Sequence, residues 1–205
     1  MISYLESLDT RLFLFLNGLH TPFFDQVMWY ISAKLTWLPL YLFIFGWLYL
    51  IYRRRFWILF LFIILLVTTS DQVSVHAFKE VFHRLRPCHN ASIQSVIHLV
   101  RNHCGGMYGF VSSHAANTFA VAVFSSLLIR NRTYTLFIVL WALLSGYSRI
   151  YLGVHYPGDV ITGSLVGVAT GYVVWYLWEI TDRALTGRFP KLGGKSASVQ
   201  KDPVS

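Results

Sequence analysis

The sequence predicts an all-α, polytopic membrane helix bundle of five to six membrane helices, counting an N-terminal interfacial one. Three observations carry this. Of 205 residues, 55% are hydrophobic and only 13% are charged, where a soluble domain carries about 25% charged residues. Mean hydropathy is +0.52. Several apolar runs reach the roughly 18–20 residues that cross a bilayer, and basic residues bracket them. The apolar character extends along most of the chain, so one membrane-embedded domain over residues 1–182 is expected. A polar tail at 183–205, with glycine, proline and serine, reads as disordered.

Taken in order, Leu5, Leu8, Leu12, Leu16 and Leu19 recur at three- and four-residue steps. That spacing suits a helix lying in the membrane interface or packing on the bundle, with an end near Asn17-Gly18. Met1–Asp9 carries Glu6 and Asp9 and lacks a basic start before an apolar core, so no cleavable signal peptide is expected. The first span covers about Leu35 to Tyr52, with a start that could reach back through Val27–Ala33, and Arg53-Arg54-Arg55 closes it.

The second span runs from Phe56 to Phe78. Its second half is polar, with Thr68, Thr69, Ser70, Asp71, Gln72, Ser74 and His76, which should face the bundle interior. Asp71 and Gln72 suit hydrogen bonding between helices, with a substrate gate as the alternative. Gln72, Lys79 and Arg86 are spaced by seven and share one face as far as the helix continues. Residues 83–112 form a loop. A third span follows from Ser112-Ser113-His114 to Ile129, a fourth from about Tyr134 to Arg149, and a fifth from Pro157 to about Trp178. Trp175, Tyr176 and Trp178 read as an interfacial belt.

The formal charge of +8 does not point to nucleic acid, because the basic residues flank apolar runs and form no aromatic-interleaved stripe. Alternate crossings put the Arg53–Arg55 turn, the Arg130–Arg132 turn and the tail on one face, with 10 of the 17 basic residues. That face is expected to be cytoplasmic. The start of the first span, the 83–112 loop and the 149–159 turn then face the periplasm or cell exterior, from a bacterial inner membrane.

On that outer face the chain gathers its chemistry. Pro157 suits the first turn of a helix, which makes Tyr156 the cap and puts Asp159 within reach of His155. A histidine oriented by a carboxylate is a nucleophile or a base. Lys79, Arg86 and Arg149 could clamp a phosphate. Ser112 and Ser113 suit a helix start whose free N–H groups take an anion, and His114 there could protonate a leaving oxygen. His83 and Arg84, beside these, either contact a lipid headgroup or are simply solvated. Each of these groups also has a bland reading as a buried polar tie between helices; it is their joint order that argues for a site.

These residues resemble the type 2 phosphatidic acid phosphatases, the PAP2 superfamily of lipid phosphate phosphatases, undecaprenyl-diphosphate phosphatases and vanadium haloperoxidases. The family pattern is K-x6-R-P, then P-S-G-H, then S-R-x5-H-x3-D. Lys79, Arg86 and Pro87 match the first motif, Ser112 and His114 the second, and Ser148, Arg149, His155 and Asp159 the third. Val111 and Ser113 stand where the family has proline and glycine. The resemblance spans about residues 68–175.

It implies catalysis by His155 as nucleophile, Asp159 orienting it and His114 as acid. Phosphate would be bound by Lys79, Arg86, Arg149, Ser112 and Ser113, with no metal or cofactor. The implied partner is a phosphorylated lipid in the bilayer, undecaprenyl diphosphate first, with lipid A, phosphatidic acid and phosphatidylglycerol phosphate as alternatives. A non-catalytic transporter of anionic lipids would use the same cations with idle histidines. The haloperoxidase relatives are soluble, unlike this chain. Cys88 and Cys104, with nearby histidines, fit no compact zinc spacing; in an oxidising compartment they could instead pair as a disulfide.

Overall fold

A computed structural model describes residues 2–187, which are helical outside one long loop and contain no β-strand. Most of the tail expected to be disordered, 188–205, lies outside the described residues.

The N-terminal region folds as two helices. α1 spans Ile2–Gly18 and α2 Pro22–Ser32. Thr21 caps α2 by accepting from the Phe24 amide, and Pro22 opens its first turn. α1 buries Phe13 and Asn17 against the bundle and leaves Leu5, Leu8 and Leu12 exposed. It therefore packs on one side and presents its leucines on the other. Asn17 Nδ2 donates to the carbonyls of His98 and Tyr151 at 2.9 and 2.8 Å, tying α1 to the loop and the fourth span.

α3 (Leu38–Tyr52) and α4 (Phe56–Gln72) form a hairpin across Arg53, whose φ of 50° breaks the helix. Phe45 meets Phe60 and Tyr49 meets Phe56, at ring distances of 6.0 and 5.5 Å, so residues equally far from the turn face each other. α4 continues as a π-helical stretch, Val73–Lys79, and a last turn α5, Glu80–Phe82. A π turn holds more residues than an α turn, so a seven-residue spacing no longer returns to one face.

The expected Gln72–Lys79–Arg86 face accordingly fails. Gln72 is exposed, with Thr68 and His76 one turn to either side, and Arg86 lies beyond the helix in extended backbone. Only part of the polar half turns inward: Ser70 and Ser74 are buried and Asp71 lines a cavity.

α6 (Ser113–Ile129), α7 (Arg132–Tyr151) and α8 (Pro157–Thr186) complete the bundle. α8 passes the expected end near Trp178 and stops at Gly187, which takes φ 64° as a left-handed cap. Its closest partner is α6. Gly163, Gly167 and Gly171 recur every four residues along this contact. A Cβ on Gly163 would come 2.5 Å from the Ser112 carbonyl, and one on Gly171 2.8 Å from that of Ala120. Small residues let the two backbones approach, as in close membrane-helix pairs. At the end of the bundle away from His155, Arg55 pairs with Asp182 and Arg130 with Glu179, joining both arginine turns to the end of α8.

In the 83–112 loop Cys88 and Cys104 form a disulfide, with Cα atoms 5.9 Å apart. Both sulfurs are used in this pairing. Arg86 N donates to Met107 O and Gly109 N to Arg84 O, at 3.0 and 2.8 Å. The two ends of the loop thus pair beside α8.

Candidate active site

Three helix ends and the loop close around one cavity of about 590 Å³. Its polar end is lined by Lys79, Arg86, Ser113, His114, Arg149 and His155. Its other walls combine apolar side chains, among them Leu38, Ile44 and Leu48 of α3, Leu66 of α4 and Phe124 of α6, with Lys34, Asp71, Asn117, Thr118 and Ser125. Phosphate-like charge and hydrocarbon fit the same cavity at different ends.

The cations arrive from separate elements. Lys79 closes the π stretch and donates to Ser113 Oγ at 2.7 Å. Arg86 follows the helix and reaches the Cys104 carbonyl with Nη1 at 3.4 Å. Arg149, in the last turn of α7, donates to Ser32 Oγ of α2. None of the three forms an ion pair among the described residues. Arg86 Nε and Arg149 Nε are buried without a hydrogen-bond partner. Buried donors without partners are costly, and a bound anion would satisfy them.

His155 sits in the turn between α7 and α8 and is 2% exposed. Tyr156 caps α8, as the sequence indicates, with its amide donating to Asp159 Oδ2 at 3.0 Å. The same Oδ2 lies 3.5 Å from His155 Nδ1. With Nδ1 turned to the carboxylate, Nε2 is the ring nitrogen left for the cavity. Burial, then the nearby Arg86, Arg149 and Lys79, hold the His155 imidazole well below its ordinary proton affinity. A neutral ring results, which is the nucleophilic form.

His114 lies in the first turn of α6 with Nε2 2.8 Å from Ser145 Oγ, so Nδ1 is its free nitrogen. Ser113 faces the cavity. Ser112 does not: it is fully buried, its hydroxyl caps the Ala115 amide, and its own amide donates to the Asp159 carbonyl at 3.0 Å. Its expected place in phosphate binding gives way to tying α6 to α8.

Four contributors escaped the sequence reading. Ser32 and Ser145 hold Arg149 and His114. Gly109 packs where a Cβ would lie 3.0 Å from Asp159 Oδ2 and 3.5 Å from His155 Nδ1. Asp9 of α1 reaches the site through Arg84, which is neither a cavity-wall residue nor merely solvated. The glycine-rich run at 105–109 was the one signal available for any of them.

A family model described as the PAP2 superfamily matches residues 59–181. The chain belongs to the PAP2 superfamily.

Among curated PAP2 relatives, a lipid A 4′-phosphatase of Bacteroides thetaiotaomicron is 36% identical over 100% of this chain and 91% of its own. Another of that name from Porphyromonas gingivalis is 35% identical over 86% of this chain and 75% of its own. The undecaprenyl-diphosphatase BcrC of Bacillus subtilis matches at 36% over only 31% of this chain and 32% of its own. Two solved structures share the fold. A phosphatidylglycerolphosphate phosphatase of Bacillus subtilis superposes with TM-score 0.65 at 21% identity, covering 93% of this chain and 90% of its own. LpxE of Aquifex aeolicus gives 0.58 at 24% identity, covering 82% and 94%. This PAP2 chain is a membrane lipid phosphatase, and the non-catalytic transporter alternative is left without support.

Proposed function

We propose that this PAP2 phosphatase removes the 4′-phosphate of lipid A through a phosphohistidine on His155. For the chemistry, one observation carries the reading: three cations without carboxylate partners and a neutral imidazole line a cavity that also has apolar wall from α3, α4 and α6. For the substrate, support comes from two lipid A 4′-phosphatases at 36% and 35% identity over all or most of this chain. The undecaprenyl-diphosphatase match covers 31% of it. Undecaprenyl diphosphate, the first expectation from sequence, therefore falls behind lipid A.

In this mechanism His155 Nε2 attacks phosphorus while Asp159 holds Nδ1–H. The bond from phosphorus to the sugar oxygen breaks, and His114 gives that oxygen its proton. Lys79, Arg86, Arg149 and the first amides of α6 meet the charge on the equatorial oxygens. A water then passes a proton to His114 and attacks phosphorus, the P–N bond breaks, and inorganic phosphate leaves. The two arginine-rich turns at the far end favour a cytoplasmic location there, which opens the site to the periplasm.

A substrate panel tests this on the purified protein in detergent with chelator present: lipid A, undecaprenyl diphosphate and phosphatidylglycerol phosphate. Mass spectrometry of the lipid product locates the lost group. Fastest release from lipid A, at the 4′ position, is expected. Faster release from undecaprenyl diphosphate, or loss of the 1-phosphate instead, overturns the substrate assignment.

A further inference from the structure

Asp159 is 0% exposed, yet its carboxylate must stay charged and in one orientation to hold His155. Only one of its oxygens, Oδ2, faces the histidine and the Tyr156 amide. The other, Oδ1, accepts from Arg84 Nη1 at 2.7 Å. The second arm of the same guanidinium, Nη2, donates to Asp9 Oδ2 at 2.7 Å. Asp9 belongs to α1, and its remaining oxygen accepts from the Gly158 amide at 2.7 Å, in the first turn of α8. The Arg84 guanidinium lies 4.2 Å over the Tyr156 ring, and Tyr156 in turn accepts from Asn90 Nδ2 through its hydroxyl at 3.0 Å. Gly158 completes the arrangement, since a Cβ there would stand 2.7 Å from Asp9 Oδ2.

We infer that Arg84 and Asp9 are positioning residues: through them α1 locks the Asp159 carboxylate against the nucleophilic histidine. This rests on the phosphohistidine reading above. An ionised carboxylate buried without a counter-charge is unfavourable, and Arg84 supplies that charge in contact. A planar fork bridging two carboxylates also stops rotation of both, which a lysine ammonium on a flexible stem does not reproduce. Arg84 does not line the cavity, and both of its terminal nitrogens are engaged, so it acts on the substrate only through Asp159. The amphipathic first helix thereby helps set the geometry of the site as well as packing on the bundle.

The test uses Arg84→Gln, Arg84→Lys, Asp9→Asn and Gly158→Ala, each alone and on an Asp159→Asn background. kcat, KM and the detergent-phase melting temperature are read on whichever lipid of the panel the wild type turns over fastest. Loss of an orienting partner typically costs 10–100-fold, so kcat should fall about 10-fold or more for Arg84→Gln, with KM little changed. Asp9→Asn and Gly158→Ala should move in the same direction by less, and Arg84→Lys should recover only part of the loss. On the Asp159→Asn background none of the four should cost anything further.

A raised KM at unchanged kcat would make Arg84 a substrate contact and overturn the inference. So would losses that persist in full without the Asp159 carboxylate, or melting temperatures that fall while kcat holds. If Arg84→Gln does not fold, Asp9→Asn and Gly158→Ala decide by the same criteria. His155→Ala separates the two levels. An active His155→Ala protein sinks the phosphohistidine reading itself; an inactive one beside an Arg84→Gln protein of normal kcat sinks only the positioning role.

Discussion

Replacing His155 by alanine removes the attacking nitrogen and leaves the rest of the site in place. The neighbouring groups have other partners: His114 Nε2 is bonded to Ser145 Oγ, with Nδ1 left for proton transfer, and Lys79 is bonded to Ser113 Oγ. What survives is electrostatic, namely three cations and the amides at the start of α6. In a hydrolase that has lost its nucleophile, such binding and oxyanion contacts keep only about 10³–10⁴ over the reaction in water. The expected fall in kcat is at least about 10³-fold, or roughly 4 kcal/mol at 1.36 kcal/mol per decade.

The fold should survive the change. The neutral imidazole lies 3.5 Å from Asp159 Oδ2 and ties no helices together by a hydrogen bond among the described residues, so little of the fold rests on it. Rapid quench into base with phosphorus-labelled substrate provides the second readout, because a phosphohistidine survives alkali. The wild type should carry label on the protein and His155→Ala should carry none. Turnover within about ten-fold of wild type, or equal labelling of the variant, would refute the nucleophile assignment.

Four further outcomes follow from the same structure. Gly109→Ala puts a Cβ 3.0 Å from Asp159 Oδ2 and 3.2 Å from Arg86 Cγ; steady-state kinetics should show kcat lowered about 10-fold from the displaced carboxylate and clamp. His155 refuses in the folded chain a proton that the unfolded chain accepts. Its contribution to stability is therefore complete above the ordinary value of about 6.5 and is lost progressively as pH falls below it, so melting temperature should drop on acidification and His155→Gln should flatten that slope. Gly167→Val drives a side chain into the Ala116 carbonyl at the α6–α8 contact and should cost about 1–3 kcal/mol in thermal melts. Gly46→Ala, which meets nothing within 4 Å, should instead be neutral or stabilising by about 0.5–1 kcal/mol.

The motif residues were legible because their chemistry is local. Pro157 opening a helix, Tyr156 capping it and Asp159 in its first turn follow from neighbouring backbone geometry, and the structure has that cap. The arginine turns were legible too, since basic residues between apolar runs mark the ends of crossings. Other features depended on conformation that no spacing records. The π stretch at Val73–Lys79 changed which side chains share a wall, replacing Gln72 by Asp71. Ser112 looked equivalent to Ser113, but one hydroxyl is consumed by the helix cap and the other meets Lys79. The end of α1 at Asn17-Gly18 was read from the sequence, whereas the second helix that Thr21-Pro22 opens was written there and overlooked. The Gly163–Gly167–Gly171 ridge was equally visible and equally missed.

Composition and hydropathy by themselves determined that this chain lives in a membrane as a helix bundle, and three short motifs determined its family chemistry. Both depend on residue type and near-neighbour spacing, which the linear order records. Which hydroxyl meets Lys79 and which one caps, that Arg84 backs the Asp159 carboxylate, and that α1 reaches the site at all were decided only by tertiary structure. Those contacts join residues 75 and 149 positions apart, and burial and charge at such distances exist only once the helices have packed.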